Sequence, residues 1–278
     1  MLSTTLVSLI SMGMVGSVLA AGLVYASKKF AVETDPTADE IEEVLPGANC
    51  GACGYAGCRA FAEAAADGKA PVDGCPVGGV TVAKLVAQIL GVEAVEGTHR
   101  KVAQVLCKGG RAEAKLHAEW IGPRDCRVAQ NTQNGSFKAC SYGCLGLGTC
   151  VAACPFDAMY MDENGLPVVI EEKCTGCGMC VRACPRDIIV LAEEPQGVHI
   201  RCRSLALGKD VRGVCSVGCI ACRRCEKECP VNAITVEDNL ARIDYDKCIN
   251  CRRCVAVCPM NTIEYQEGKP VLKKKRAS

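Results

Sequence analysis

Bulky side chains are scarce in this chain. Among 278 residues there is one tryptophan, Trp120, with four phenylalanines and six tyrosines, so only 4% of the residues are aromatic. Length alone allows about two domains, but so few large residues cannot fill two ordinary cores. Histidine is rare as well, with three copies, which argues against metal sites of mixed nitrogen and sulfur ligation. Neither sign of charge is in excess. The formal net charge is +1 and gives no electrostatic footprint for a nucleic-acid partner. Also absent are a G-x-G-x-x-G run after a strand, a Walker loop and a catalytic triad. Nothing on the chain would bind a nicotinamide or handle hydride.

What fills the space instead is cysteine, with 24 copies. Three runs share one spacing: Cys174-x2-Cys177-x2-Cys180-x3-Cys184-Pro185, Cys219-x2-Cys222-x2-Cys225-x3-Cys229-Pro230, and Cys248-x2-Cys251-x2-Cys254-x3-Cys258-Pro259. In this pattern three thiolates in one tight turn take three irons of a cubane. The fourth cysteine, before proline, ligates the neighbouring cluster. Structural zinc is the bland alternative, but it usually pairs separate Cys-x2-Cys knuckles, often with histidine. A disulfide scaffold suits short exported domains, and this chain is neither. Cluster ligation would be part of the folding free energy, so a cluster-free chain is expected to be largely unfolded.

An internal repeat organises residues 107–278. Cys140 and Cys144 match Cys215 and Cys219 at an offset of 75, as Cys150 and Cys154 match Cys225 and Cys229. Cys177, Cys180 and Cys184 match Cys251, Cys254 and Cys258 at an offset of 74. Upstream, Cys126-Arg127 is aligned with Cys202-Arg203. Each unit also predicts a hairpin, at residues 158–162 and 167–170 around Glu163-Asn164-Gly165, and at residues 233–237 and 240–244 around Asp238-Asn239. The repeat is broken at one place, where Leu147 stands at the position of Cys222. Cys140 is the nearest substitute.

The expected ligand sets are therefore Cys140, Cys144, Cys150 and Cys184; Cys154, Cys174, Cys177 and Cys180; Cys219, Cys222, Cys225 and Cys258; and Cys229, Cys248, Cys251 and Cys254. A further set precedes them. Cys50-x2-Cys53-x4-Cys58 with the distant Cys75-Pro76 is a single-cluster pattern, among glycines that let the backbone wrap closely. This makes five [4Fe–4S] clusters. Cys107, Cys126, Cys202 and Cys215 are left over. They are read as buried thiols by default, with a sixth cluster as the alternative.

The amino terminus reads as a membrane anchor. Residues 1–27 carry no charge and residues 6–26 are mostly apolar, long enough to span a bilayer as a helix. Lys28 and Lys29 follow, which places the cysteine-rich body on the cytoplasmic side of the inner membrane. A cleaved signal peptide fits less well, because no basic segment precedes the apolar run. Small residues at Gly13, Ser17 and Ala21 either pack on another membrane helix or reflect ordinary membrane-helix composition. An acidic connector, residues 28–46, includes a helix predicted over residues 37–45 and solvated acids from Glu33 to Glu43. Helices are also predicted over residues 58–67 and 81–90, the latter ended by Gly91. A short helical segment is expected at residues 111–120.

The order of these parts resembles the B subunit of the Rnf complex, an ion-translocating ferredoxin:NAD oxidoreductase of bacterial membranes. The resemblance rests on the anchor, on Pro46-Gly47-Ala48-Asn49-Cys50-Gly51-Ala52-Cys53-Gly54-Tyr55-Ala56-Gly57-Cys58 with Cys75-Pro76, and on the ferredoxin runs. It implies electron transfer from soluble ferredoxin to partner subunits in the membrane or carrying flavin. Many members of that family carry one ferredoxin module, and this chain has two. A stand-alone membrane-tethered polyferredoxin feeding another reductase is the other reading. The expected fold is α+β: a transmembrane helix (1–27), the connector (28–46), a single-cluster domain (47–106), and two tandem two-cluster ferredoxin modules (107–200 and 201–278). The second carries a basic tail at residues 273–276.

Overall fold

The computed structural model describes residues 2–29, 36–93, 100–131 and 137–272. Helix α1 spans Leu2–Lys29, and its side chains are described from residue 12 onward. Those that are large and apolar, among them Val15, Leu19 and Leu23, lie exposed. Among the described residues no helix is long and apolar enough to cross a membrane. The stretch from Met12 ends in Lys28 and Lys29, and the start of the expected run falls before it. The expected basic tail at 273–276 and the acids Glu33 and Asp35 lie outside the described residues.

Three short helices build the first compact unit: α2 (Pro36–Val44), α3 (Cys58–Ala66) and α4 (Gly79–Leu90). Ile41 and Leu45 pack with Phe61, Ala62, Ala65 and Val86 in its core. Helical spacing puts these residues on facing stripes. Gly91 closes α4 with φ of 65°, the left-handed cap that favours glycine. The connector is thus not separate from this unit. Its acids Asp39 and Glu42, expected to be solvated, both pair with Arg59 on α3, which also holds Glu63 at 2.9 Å.

The rest of the chain forms two similar modules. The first begins with β1 (Lys101–Val105), continues through α5 (Cys126–Gln130), α6 (Thr149–Ala152), β2 (Met159–Met161), β3 (Pro167–Val169) and α7 (Met179–Ala183), and closes with β4 (Ile189–Glu193). The second runs through β5 (Val198–Ile200), α8 (Gly208–Val214), α9 (Arg224–Glu228), β6 (Ile234–Glu237), β7 (Leu240–Ile243), α10 (Arg253–Val257) and β8 (Ile263–Tyr265). In each, the first strand pairs antiparallel with the last, β1 with β4 and β5 with β8. In each, the predicted hairpin forms between them, β2 with β3 and β6 with β7. Mixed helix and strand content is as expected.

Two boundaries shift and one expected element does not form. Residues 101–105, placed with the single-cluster segment, supply the opening strand of the first module. Residues 198–200 do the same for the second. The short helix expected at 111–120 is replaced by turns and isolated bridges, Ala114 to Cys215 and Leu116 to Lys138. Cross-strand contacts with distant residues override the weak helical preference there.

The modules are joined by hydrogen bonds and ion pairs. Lys108 donates its N–H to Arg201 O at 3.1 Å, and its ammonium pairs with Glu264 at 2.6 Å. Arg201 donates to Val105 O at 2.7 Å, and Lys269 pairs with Glu171 at 2.7 Å. Both Lys269 and Glu171 are mostly buried, where an ion pair is less screened than at a surface.

Candidate iron–sulfur centres

Each cysteine run is bent by residues in the left-handed region. Gly176, Ala221 and Asn250 precede the second cysteine of their runs, with φ of 67°, 54° and 56°. Asn250 shows how such a bend is held. Fully buried, it accepts from Gly197 N at 3.1 Å and donates to Pro195 O and Pro270 O at 2.6 and 3.0 Å.

A second device follows every Cys-Pro of the modules. Asp157, Asp187, Asn232 and Asn261, each three residues after its cysteine, have φ of 48° to 50°. Asp and Asn tolerate this region better than other side chains. The turn aims the next N–H back at the sulfur. Ala158 N, Ala233 N and Thr262 N donate to the Sγ of Cys154, Cys229 and Cys258 at 3.4, 3.2 and 3.3 Å. Hydrogen bonds to ligand sulfurs are one of the settings of cluster potential.

The cysteines gather in groups of four. One cavity of about 370 Å³, counting space open to solvent, is lined by Cys219, Cys222, Cys225 and Cys258. This is an expected set. Cys222 is the one exposed cysteine of the chain. Burial pushes the Cys225 thiol up to about 11, and Cys219 adds to this. Cys254 is pushed up to about 12 by burial and then by Cys248 and Cys251, with Cys229 contributing. Cys180 reaches about 12 by burial and then through Cys174 and Cys177, with Cys154 contributing. Cys75 is raised by burial and, more weakly, by Cys53 and Cys58. Cys50 follows Asn49, whose side chain accepts from Cys58 N at 2.8 Å. These neighbourhoods bring expected partners together in every set but one, with Cys50 tied to its set only through the contact of Asn49 with Cys58.

That exception is the leading set of the first module. One cavity is lined by Cys144, Cys150 and Cys184 together with Cys126, not Cys140. Burial and then the charges of Cys184 and Cys126 push Cys150 up to about 12. Sequence proximity favoured Cys140, but helix α5 brings Cys126 in. Asp125 caps α5 by accepting from Arg127 N at 2.8 Å, and Cys126 N–H is 2.6 Å from Thr149 Oγ1. Thr149 immediately precedes Cys150, so this contact docks α5 on the cysteine loop. Leu147 packs in a small apolar cluster around Cys126, Ala129 and Leu145. Cys140 lies elsewhere, with Cys107, Cys202 and Cys215.

Clustered thiols of this kind suit several irons better than one. A single zinc ion draws its thiolates to about 2.3 Å of one point. Thiolates on a cubane stand further apart, each on its own iron. The raised thiols must lose protons to bind, so loading releases protons and couples to folding.

Cysteine cradles of this type, built on paired hairpins, define an iron–sulfur electron carrier with more than one cluster. Comparison with known families agrees. An Fe-S cluster family matches residues 45–77. 4Fe-4S dicluster domain families match residues 138–189, 173–233 and 218–262. The chain is 50% identical over 232 residues to the B subunit of the ion-translocating oxidoreductase complex of Methanosarcina acetivorans, covering 84% of this chain and 87% of that one. It is 49% identical to the B subunit of the Na(+)-translocating ferredoxin:NAD(+) oxidoreductase complex of Acetobacterium woodii, covering 89% and 74%. It is 44% identical to the B subunit of the proton-translocating ferredoxin:NAD(+) oxidoreductase complex of Clostridium ljungdahlii, covering 87% and 85%. The chain belongs to this family, the B subunits of Rnf complexes. It is an iron–sulfur electron-transfer component of an ion-translocating ferredoxin:NAD oxidoreductase.

Proposed function

We propose that the chain takes electrons from reduced ferredoxin at its second module and relays them to flavin-carrying and membrane partners, with α1 as a single-pass anchor. Cubane clusters held by the cysteine sets supply one-electron chemistry. The observation that carries the reading is the setting of Cys222. It is exposed, and it is followed by Arg223 and Arg224, while Arg252 and Arg253 occupy the same place in the adjoining run.

The four arginines divide into two pairs. Arg223 pairs with Glu226 at 3.0 Å and donates to Val236 O at 2.9 Å. Arg252 stacks on Tyr265 at 3.7 Å from the ring centre and donates to its hydroxyl at 2.6 Å. These two shape the loops. Arg224 and Arg253 are exposed and make no ion pair among the described residues. Their charge is free to steer an acidic carrier to Cys222. The uncharged residues 1–27 and the following Lys28 and Lys29 support the anchor, with the body on the cytoplasmic side. On this reading the single-cluster unit lies near the membrane, and electrons leave from it.

The test is the rate of reduction of the anaerobically purified chain by ferredoxin as salt rises to physiological strength, where screening shortens to about 8 Å. The expected rate falls with salt. Replacing Arg224 and Arg253 together by glutamine is expected to slow it at low salt and flatten the dependence. A rate indifferent to salt would remove this docking point.

A further inference from the structure

Four cysteines meet at the seam between the modules. Cys107, Cys140, Cys202 and Cys215 line one cavity of about 390 Å³, counting space open to solvent. The cavities of the two leading sets are likewise lined by four cysteines each. The four are close enough to sense one another. Cys140 and Cys107 both act on Cys215, Cys140 acts on Cys107, and Cys107 acts on Cys202.

Their positions are equivalent in the two modules. Cys140 and Cys215 are repeat partners in sequence. Cys107 and Cys202 are partners in structure: Leu106 N donates to Ile188 O and Arg201 N donates to Thr262 O, so each cysteine follows its module's opening strand in the same register. Cys144 N donates to Cys107 Sγ at 3.3 Å, and the Cys219 backbone donates to Cys202 Sγ. Each module therefore contributes two cysteines, from equivalent positions, to the one cavity.

Two glycines let the backbone approach the sulfurs closely. A Cβ on Gly109 would stand 3.0 Å from Cys215 Sγ, and one on Gly143 would stand 3.4 Å from Cys140 Sγ and 3.8 Å from Cys107 Sγ. Lys138, Arg201 and Arg203 also line the cavity, and positive charge favours the negative charge of a thiolate-ligated cluster. Buried unligated thiols explain none of these features together. Such thiols need no equivalence between modules and no basic wall.

We propose that Cys107, Cys140, Cys202 and Cys215 bind a further [4Fe–4S] cluster at the seam, with Cys126 serving in the set of Cys144, Cys150 and Cys184. The proposal rests on the reading of the other cysteines as cubane ligands, and it makes six sets of four from the 24 cysteines. It also gives the relay a bridge. Cys107 is hydrogen-bonded to the backbone of a ligand of the first module's leading set, Cys144, and Cys202 to that of the second's, Cys219. One electron arrives from one neighbouring cluster and leaves to the other, with no bond made or broken.

The test counts iron and acid-labile sulfide in the full chain, solubilised in detergent and reconstituted anaerobically with iron and sulfide. The expected load is about 24 irons, four per cubane. Cys215→Ala, Cys140→Ala and the Cys107→Ala/Cys215→Ala pair are each expected to lose the same cluster, about four irons and one electron paramagnetic resonance component. Cys126→Ala is expected to lose a different component. A wild-type load of about 20 irons would overturn the seam site while leaving the other five sets standing. So would a Cys215→Ala chain with an unchanged load. About eight irons or fewer would overturn the cluster reading as a whole, and the seam site with it. The wild-type count decides the matter even if a variant fails to fold.

Discussion

Asn261 offers a clean test of how the Cys-Pro turns set cluster properties. Its side chain is exposed, so replacing it costs little packing. Its φ of 50° is the demanding feature. Valine is β-branched and is a marked outlier in this region, with a cost of about 1–2 kcal/mol to hold the turn. Opening the turn relieves that strain and draws Thr262 N–H away from Cys258 Sγ, its partner at 3.3 Å. That hydrogen bond is stronger when the cluster is reduced and more negative. If the reduced state gains about 1 kcal/mol more from it than the oxidised state, a typical net hydrogen-bond value, its loss lowers the midpoint potential by about 40 mV. The assay is a redox titration of the full chain followed by electron paramagnetic resonance, with iron content measured alongside. Asn261→Val is expected to lower one component by about that amount, and Asn261→Gly, which keeps the turn at no steric cost, to leave it unchanged. Equal potentials for the valine and glycine variants would refute the argument.

Asn250→Ala should be more damaging, because it strands the buried Gly197 N–H and two carbonyls held now by one side chain; a loss of about 2–4 kcal/mol is expected in denaturant unfolding, with early release of iron from the Cys248 run. His199 is fully buried, bonded through Nδ1 to the Tyr245 hydroxyl at 2.7 Å, and held at a pKa of about 4 by burial and then by the charge of Arg201. The unfolded histidine titrates near 6.5, so between there and about 4 the unfolded state binds the extra proton and stability falls as pH falls. Going from about pH 7 to about pH 5.5 should cost about 1 kcal/mol through this residue, and His199→Gln should remove that increment from the urea midpoint.

The repeat was legible in the sequence because cysteine and proline spacings are rigid chemical requirements. The hairpins were legible too, since Asn164-Gly165 and Asp238-Asn239 turn between apolar segments. Cys126 was harder. Its link to the Cys150 loop runs through Thr149 and Asp125, 24 residues apart in the chain, and spacing cannot show a contact of that kind. The dipeptide match of Cys126-Arg127 with Cys202-Arg203 pointed the wrong way. The true counterpart of Cys202 is Cys107, and the signal for it was the apolar strand just before each cysteine, Val102 to Val105 and Val198 to Ile200. The Asp or Asn three residues after each Cys-Pro was visible in the sequence, but its meaning depends on a backbone angle. The left-handed bends at Ala221, Arg223 and Arg252 had no sequence signal, since none of these residues favours that region.

The pairing of first strand with last has a consequence for how such chains grow. Because β1 lies beside β4, the polypeptide enters and leaves the first module at the same edge, and only four residues separate Glu193 from Val198 at the start of the next. A unit with adjoining ends can be duplicated in tandem without rethreading its neighbour. The new copy brings its own two cradles, and its opening strand delivers a cysteine to the boundary with the copy before it. With the proposed seam site, each duplication lengthens the conductor by the added unit and by the junction as well.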